Sequence, residues 1–451
     1  MSSNLQLARK LRVVDYFSLG WGAMVGVGWL VVMDDWLTRG GPLGAILGFA
    51  IGGALLLPIG YVYGQLVQLM PDASGEAAYT AKVFSRPISF ATGWMMVLAY
   101  LIVCPWEAVA VGRIAGYIFP QLNSFPLYTI GGRPVYLPHL LIGLALTGLL
   151  TLLNYRGIRL SATFQNWTAF ATLVLFVVFV VFGAAHGSRA NFNPVFGGKG
   201  TVLAIFLVMQ IVPYFMTGFE SVAKTAEEAS PDFQGRGFFS AIVMAIVVGV
   251  LFYTVVIAAV GYAAPWRSLT NLPLMTAVAF EHAVGSHWIV DVVLASALFS
   301  LFKVFNGNFV AASRLLFALG RRGLLDHRFA TVHQINRTPA TAVLWVGAIT
   351  ALCMFFGQAI LIPISEVGSV ASATGWMAAC AAFYVMRPSG GKRLVAAVGA
   401  FLGFMMILMK VVPVVPGHFS GYEWLALVIW IAIGIILNAG AKTFAGANAA
   451  R

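Results

Sequence analysis

Charge is what this chain has least of. Charged side chains make up 9% of its 451 residues, and only 15 of them are acids. Apolar residues make up 60%, and mean hydropathy is +0.89. A water-soluble chain of this length could not hide that much apolar surface, so the composition requires a polytopic membrane protein. Cysteine is nearly missing too. Cys104, Cys353 and Cys380 all fall inside apolar runs, so no disulfide or metal framework is implied. The seven histidines fall in or near loops, leaving no histidine relay at membrane depth. HExxH, G-x-S-x-G and Walker motifs are absent, so no enzyme chemistry, metal or cofactor is expected. Residues 1–14 form a short basic head with Arg9, Lys10 and Arg12. No separate apolar region with a small-residue cleavage site follows, so a cleaved signal peptide is not expected.

The net charge of +12 does not point to nucleic acid, because the basic residues sit in short loops between apolar runs. About twelve such runs recur, at roughly 16–37, 43–69, 89–119, 138–154, 160–185, 201–222, 238–263, 287–319, 340–357, 359–386, 394–414 and 422–438. With the N-terminus inside, the inner segments hold 17 Lys and Arg and the outer segments 5. That asymmetry predicts a multi-pass protein of a bacterial-style inner membrane with both termini cytoplasmic.

The first run is long enough to span, about 20 residues at 1.5 Å each. Yet it holds Gly20, Gly22, Gly26 and Gly28, and its outer part holds Asp34 and Asp35. Glycine costs about 1 kcal/mol against alanine in a helix. An acid at the bilayer centre costs about 2.5–3.5 kcal/mol on insertion scales. A plain anchor would carry neither. A helix that breaks at the midplane and offers bare N–H groups to a solute would use the glycines. The sixth run is interrupted as well. Pro213 removes a backbone donor, Gly218 loosens the turn, and Glu220 follows at membrane depth. Two broken helices five spans apart are the pattern of two inverted five-helix repeats.

At these residues the chain resembles the amino acid–polyamine–organocation transporters. Gly26-Val27-Gly28 stands where that family has a Gly-Ser-Gly-like break. Arg39-Gly-Gly-Pro42 is similar to its entry to the second helix. Pro71-Asp-Ala-Ser-Gly75-Glu-Ala-Ala-Tyr79 resembles its first inner loop. Asn154-Tyr-Arg-Gly157 is similar to the join of helices four and five. Gly218-Phe-Glu220-Ser221 with Glu227-Glu228 resembles the helix-six signature. Ser313-Arg314 with Arg322-Gly-Leu-Leu325, and then Thr338-Pro339, are similar to the end of helix eight and the start of helix nine. Seven matches in order, from about residue 12 to about residue 390, are specific where each alone is weak. The resemblance implies a LeuT-type fold, a 5+5 inverted repeat with two further helices, and alternating access of an amino acid or amine. Residues 1–451 are then one transmembrane transport domain, with a ten-helix core over 16–386, two added helices over 394–438 and a cytoplasmic tail over 439–451. Three departures stand out. Val27 replaces a hydroxyl residue, Gln65 stands where the second helix usually ends in Glu, and Thr172 stands where many members carry a lysine.

Each candidate site residue has two readings. Gly26, Val27 and Gly28 suit a solute carboxylate at a half-helix end, or they are close-packing positions. Glu220 is a proton-coupling candidate, or the partner of Lys224 four residues on. The resemblance makes Tyr214 an aromatic gate over the solute; otherwise it is core or faces lipid. Glu107 lines the solute path, or pairs with Arg113 or a neighbouring helix. Asp34 and Asp35 draw a cationic solute into an outer vestibule, or are solvated near Arg39. Gly218 and Asn308 complete the expected solute-lining set, and Glu366 and Asp291 read as structural or vestibule residues. Lys303 lies inside the eighth run, too far from its ends for easy snorkelling. No hydroxyl side chain occurs from Leu301 through Val310. In sodium-coupled relatives of the fold that region supplies hydroxyl ligands to a cation. The expectation is that the Lys303 ammonium replaces that cation on carbonyls freed by the first break. The alternative is an ion pair with Glu107, Glu220 or another buried acid. The function expected is a secondary transporter, symporter or exchanger, proton-linked and sodium-independent. Its expected solute is an amino acid or related small amine, its surroundings a lipid bilayer. A carboxylate-free amine or polyamine transporter and a non-transporting receptor are the alternatives.

Overall fold

In a computed structural model the structure describes residues 7–270, 272 and 274–449, with side chains to residue 439 and at 441. Arg451, the first six residues of the basic head and the Lys442 side chain lie outside the described residues. The helices in order are α1 Val13–Met24, α2 Gly28–Val31, α3 Met33–Ala54, α4 Leu57–Leu69, α5 Glu76–Ala81, α6 Arg86–Leu101, α7 Val103–Ile118, α8 Leu137–Arg156 and α9 Ile158–His186. They continue with α10 Thr201–Met209, α11 Val212–Met216, α12 Ser221–Lys224, α13 Arg236–Ala263, α14 Trp266–Leu269, α15 Met275–Val284 and α16 Trp288–Arg321. The last four are α17 Ala340–Cys353, α18 Leu361–Val385, α19 Lys392–Val411 and α20 Gly421–Ala449. One hairpin, β1 Pro126–Ile130 with β2 Arg133–Tyr136, joins α7 to α8. Its two-residue turn is Gly131-Gly132, both at positive φ, the geometry a tight hairpin needs.

Among the described residues, ten helical segments are long and apolar enough to cross a membrane. The hydropathy pattern has about twelve runs, and two of them account for the difference. Gly357, at φ 56° and ψ −148°, turns the chain between α17 and α18, so one segment, Ala340–Val385, holds two runs. The sixth run is cut into α10, α11 and α12, and no piece of it is long enough to cross. Pro213 sits in the first turn of α11, where its missing N–H costs nothing to that helix but ends the one before.

Burial separates centre from rim. In the most apolar 18 residues of Val13–Val31 83% are buried, and in those of Arg86–Ile118 89%. By contrast the matching stretches of Ile158–His186 and Gly421–Ala439 are 28% and 22% buried. The broken first span is therefore the axis, held by α9, α13 and α16. Val174, Val177 and Val181 of α9 are exposed on one helical face, as lipid contact requires. Small residues let α3 meet the sixth run closely. A Cβ on Gly48 would lie 2.7 Å from Val208 and one on Gly52 2.9 Å from Val212.

Candidate solute site at the crossed helix breaks

α1 stops at Met24, and a helix end leaves carbonyls without intrahelical partners. Here they are answered from other helices. Asn308 Nδ2 donates to Ala23 O at 2.8 Å, and Tyr253 Oη to Met24 O at 3.0 Å. Ser300 Oγ lies 2.9 Å from Val25 O and 2.8 Å from Gly26 O. Lys303 Nζ also donates to Val25 O, lies 3.3 Å from Ser300 Oγ and sits 4.5 Å from the Trp21 ring centre. Lys303 is fully buried and forms no salt bridge among the described residues, so the expected alternative, an ion pair with Glu107 or Glu220, is not formed. Ser300 stands one residue before the hydroxyl-free stretch and supplies the hydroxyl there.

On the other side of the break is a cavity of about 20 Å³, room for about one water. Gly26, Gly28, Trp106, Glu107, Tyr214 and Phe215 line it. The site thus joins α1, α2, α7 and α11. Glu107 is 3% exposed, and its Oε2 has no partner among the described residues. A Cβ on Gly26 would lie 2.4 Å from Glu107 Oε1, and the Val27 amide faces the same carboxylate. A Cβ on Gly28 would meet the Phe215 ring at 2.5 Å. The glycines therefore serve close approach of side chains to the broken backbone. Tyr214 Oη is buried without a partner among the described residues, while Trp106 Nε1 donates to Leu361 O at 3.0 Å. Glu107 is not paired with Arg113, which lies within electrostatic range of Asp34 instead.

The second break crosses the first. Gly218 has φ 138°, and a Cβ there would lie 2.6 Å from both Ala23 C and Met24 N. Neither Gly218 nor Asn308 lines the cavity; both hold α1 in place. Val27 is buried beside it. Glu220 Oε2 accepts from the Gly218 amide at 3.1 Å, and Oε1 has no partner among the described residues. The expected Glu220–Lys224 pair does not form. The run is not one continuous helix there: α12 is a single turn, and Glu220 lies in the bend before it. Lys224 turns instead to Glu76 of α5, whose other oxygen accepts from Tyr63 Oη at 2.6 Å.

Ion pairs bracket the site at both ends. At one end, beside Glu76 and Lys224, Arg314 meets Glu228 at 3.1 Å, Arg321 meets Glu227, and Arg322 meets Asp72 at 2.6 Å. Burial alone would raise the Asp72 pKa. Hydrogen bonds from Ser74 and the Arg322 charge outweigh it and hold the carboxyl below its ordinary 3.8. At the other end Asp35 meets Arg39 at 2.7 Å, Arg39 meets Glu366 at 3.4 Å, and Glu366 meets Lys410. Asp35 is thus tied to Arg39; Asp34 is half-buried and forms no ion pair among the described residues; Asp291 is exposed. Sequence reasoning missed Glu76, Ser300, Tyr253 and Lys410 as parts of this frame. Lys410, a charge inside an apolar run, was the clearest signal available.

Comparison with known proteins agrees with this architecture. A sequence model described as amino acid permease matches residues 15–448. The chain is 24% identical to the methylthioribose transporter of Bacillus subtilis strain 168 over 459 residues, covering 97% of this chain and 94% of that one. It is 23% identical to a branched-chain amino acid permease of the same strain, over 82% of this chain and 78% of the relative. It is 26% identical to that strain's aspartate-proton symporter, over 77% and 66% respectively. This chain, a multi-pass, all-α membrane protein, belongs to the amino acid permease family.

Proposed function

We propose that the chain is a secondary active transporter, symporter or exchanger, of an amino acid or closely related small amine. It works by alternating access, is linked to protons and needs no sodium. The observation that carries this is the crossing of two helix breaks beside a small buried cavity whose wall holds three aromatic rings and a carboxylate with one oxygen unpartnered among the described residues. In this reading the chain is one transport domain with a 5+5 repeat, both termini are cytoplasmic, and no enzymatic step is involved. Glu220 is the proton-linked group, being buried, half-satisfied and next to the second break. Lys303 puts a fixed ammonium on Val25 O, between α1 and α16, where a bound sodium would otherwise join them. Relatives' named solutes include branched-chain amino acids and aspartate, which favours the amino acid class. A carboxylate-free solute is the second reading, favoured by the Glu107 carboxylate in the cavity wall.

The test is uptake of labelled amino acids and amines into proteoliposomes, with sodium or choline outside and with or without a proton gradient. Accumulation that follows the proton gradient and ignores sodium is the expected result. A sodium requirement would overturn the coupling assignment. Binding without accumulation would make the chain a receptor.

A further inference from the structure

The helix break that could receive a zwitterion is already answered by the protein on both sides. A solute ammonium would need carbonyls at the end of α1. Those of Ala23, Met24, Val25 and Gly26 each accept a donor from α13 or α16. A solute carboxylate would need the amides between α1 and α2. Glu107 stands there, with its Oε1 close enough to Gly26 to exclude a Cβ and its carboxylate facing the Val27 amide. What remains open toward the cavity, among the described residues, is Glu107 Oε2 and the Tyr214 hydroxyl, in a wall shared with Trp106 and Phe215.

We propose that Glu107 occupies the place a solute carboxylate would take, so that the solute is a carboxylate-free amine received by Glu107 Oε2. This rests on the transporter reading above and narrows its solute class. The physical reasons are three. Two carboxyl groups side by side in a cavity with room for about one water do not both ionise, so a solute carboxylate is disfavoured beside Glu107. The Val27 amide it would use already faces the Glu107 carboxylate. An ammonium meets a charge-assisted acceptor and aromatic faces that favour a cation.

The test uses the purified full chain and pairs of ligands that differ only by the carboxyl group: agmatine with L-arginine, and phenethylamine with L-phenylalanine. Equilibrium binding is measured for wild type, Glu107→Gln and Glu107→Ala, each checked by size-exclusion profile and melting. Wild type is expected to bind the amine of at least one pair at least ten-fold tighter than its amino acid. Glu107→Gln keeps the shape and removes the charge, and should lose that amine at least ten-fold. Glu107→Ala vacates the amides, and should gain binding of the amino acid partner, a gain no merely damaged fold would give. Wild type that binds the amino acid as tightly as the amine overturns this proposal and leaves the transporter reading standing. A variant series in which amine binding is unchanged also overturns it. If no amine and no amino acid of a wider panel binds or is taken up, the small-amine reading falls, and this proposal with it.

Discussion

Gly26 is the residue on which the site turns, because its missing Cβ is where Glu107 Oε1 sits, 2.4 Å from any Cβ added there. Gly26→Ala must therefore push the carboxylate off the break. We predict at least ten-fold weaker solute binding with the fold retained, measured beside Gly198→Ala, whose Cβ meets nothing within 4 Å. An unchanged affinity would show that Glu107 and the break do not act together. Lys303 is the second such residue. It is buried against Val25 O and Trp21 and forms no salt bridge among the described residues, so in the proposed role carbonyl dipoles and a ring face hold its charge. Lys303→Ala should abolish uptake while expression and melting persist, since Ser300 still bridges Val25 O and Gly26 O. A sodium requirement in wild type would remove the reason for this lysine.

At the scale of elements, what was legible in the sequence were the breaks, because their signals are local. Pro213, Gly218 and the Gly26–Gly28 pair interrupt apolar runs within a few residues of where the helices stop. The pairing of charges was not legible. Glu76 and Lys224 lie 148 residues apart, and nothing near Lys224 announces its partner. The Glu220–Lys224 spacing misled because it presumes an unbroken helix. The Lys303 contact with α1 followed from the cost of a buried charge, but the part of Ser300, Tyr253 and Asn308 in the same carbonyl cluster did not. Those contacts depend on the crossing of α1 with α13 and α16. The crossing makes a prediction of its own. Gly218 combines a left-handed φ with contact to the α1 backbone, which cannot yield as a side chain tip could. Gly218→Ala should lower the melting temperature, by strain of about 1–3 kcal/mol plus lost packing, and should impair uptake. In the loop after α4, Asp72 has a pKa lowered from 3.8, so its contact with Ser74 and Arg322 stabilises above that value and is lost as pH falls below it. Asp72→Asn should therefore alter acid sensitivity only below about pH 4, and leave the neutral-range uptake profile unchanged.

On the scale of the whole molecule, two networks of ion pairs, each joining different helices, flank the cavity. Glu76–Lys224 and Glu228–Arg314 tie α5 and α16 to the segment after the second break. Asp35–Arg39–Glu366–Lys410 ties α3 to α18 and α19. The cavity between them is too small for an amino acid, so binding requires one end to open. Neutralising a single member of a buried pair would confuse the test, because the orphaned charge alone costs about 3–5 kcal/mol. Both members are therefore replaced: Glu76→Gln with Lys224→Met, or Glu366→Gln with Lys410→Met. A reporter cysteine goes in by Asp34→Cys, half-buried beside the second network, with the native cysteines measured as background. Loosening the network near Asp34 should speed its labelling by a polar maleimide. Loosening the far network should slow it, because under the alternating access proposed above opening at the other end closes this one. The two double variants are thus expected to move one rate in opposite directions. Movement in the same direction would mean that the ion pairs only add stability and that opening at the two ends is not exclusive.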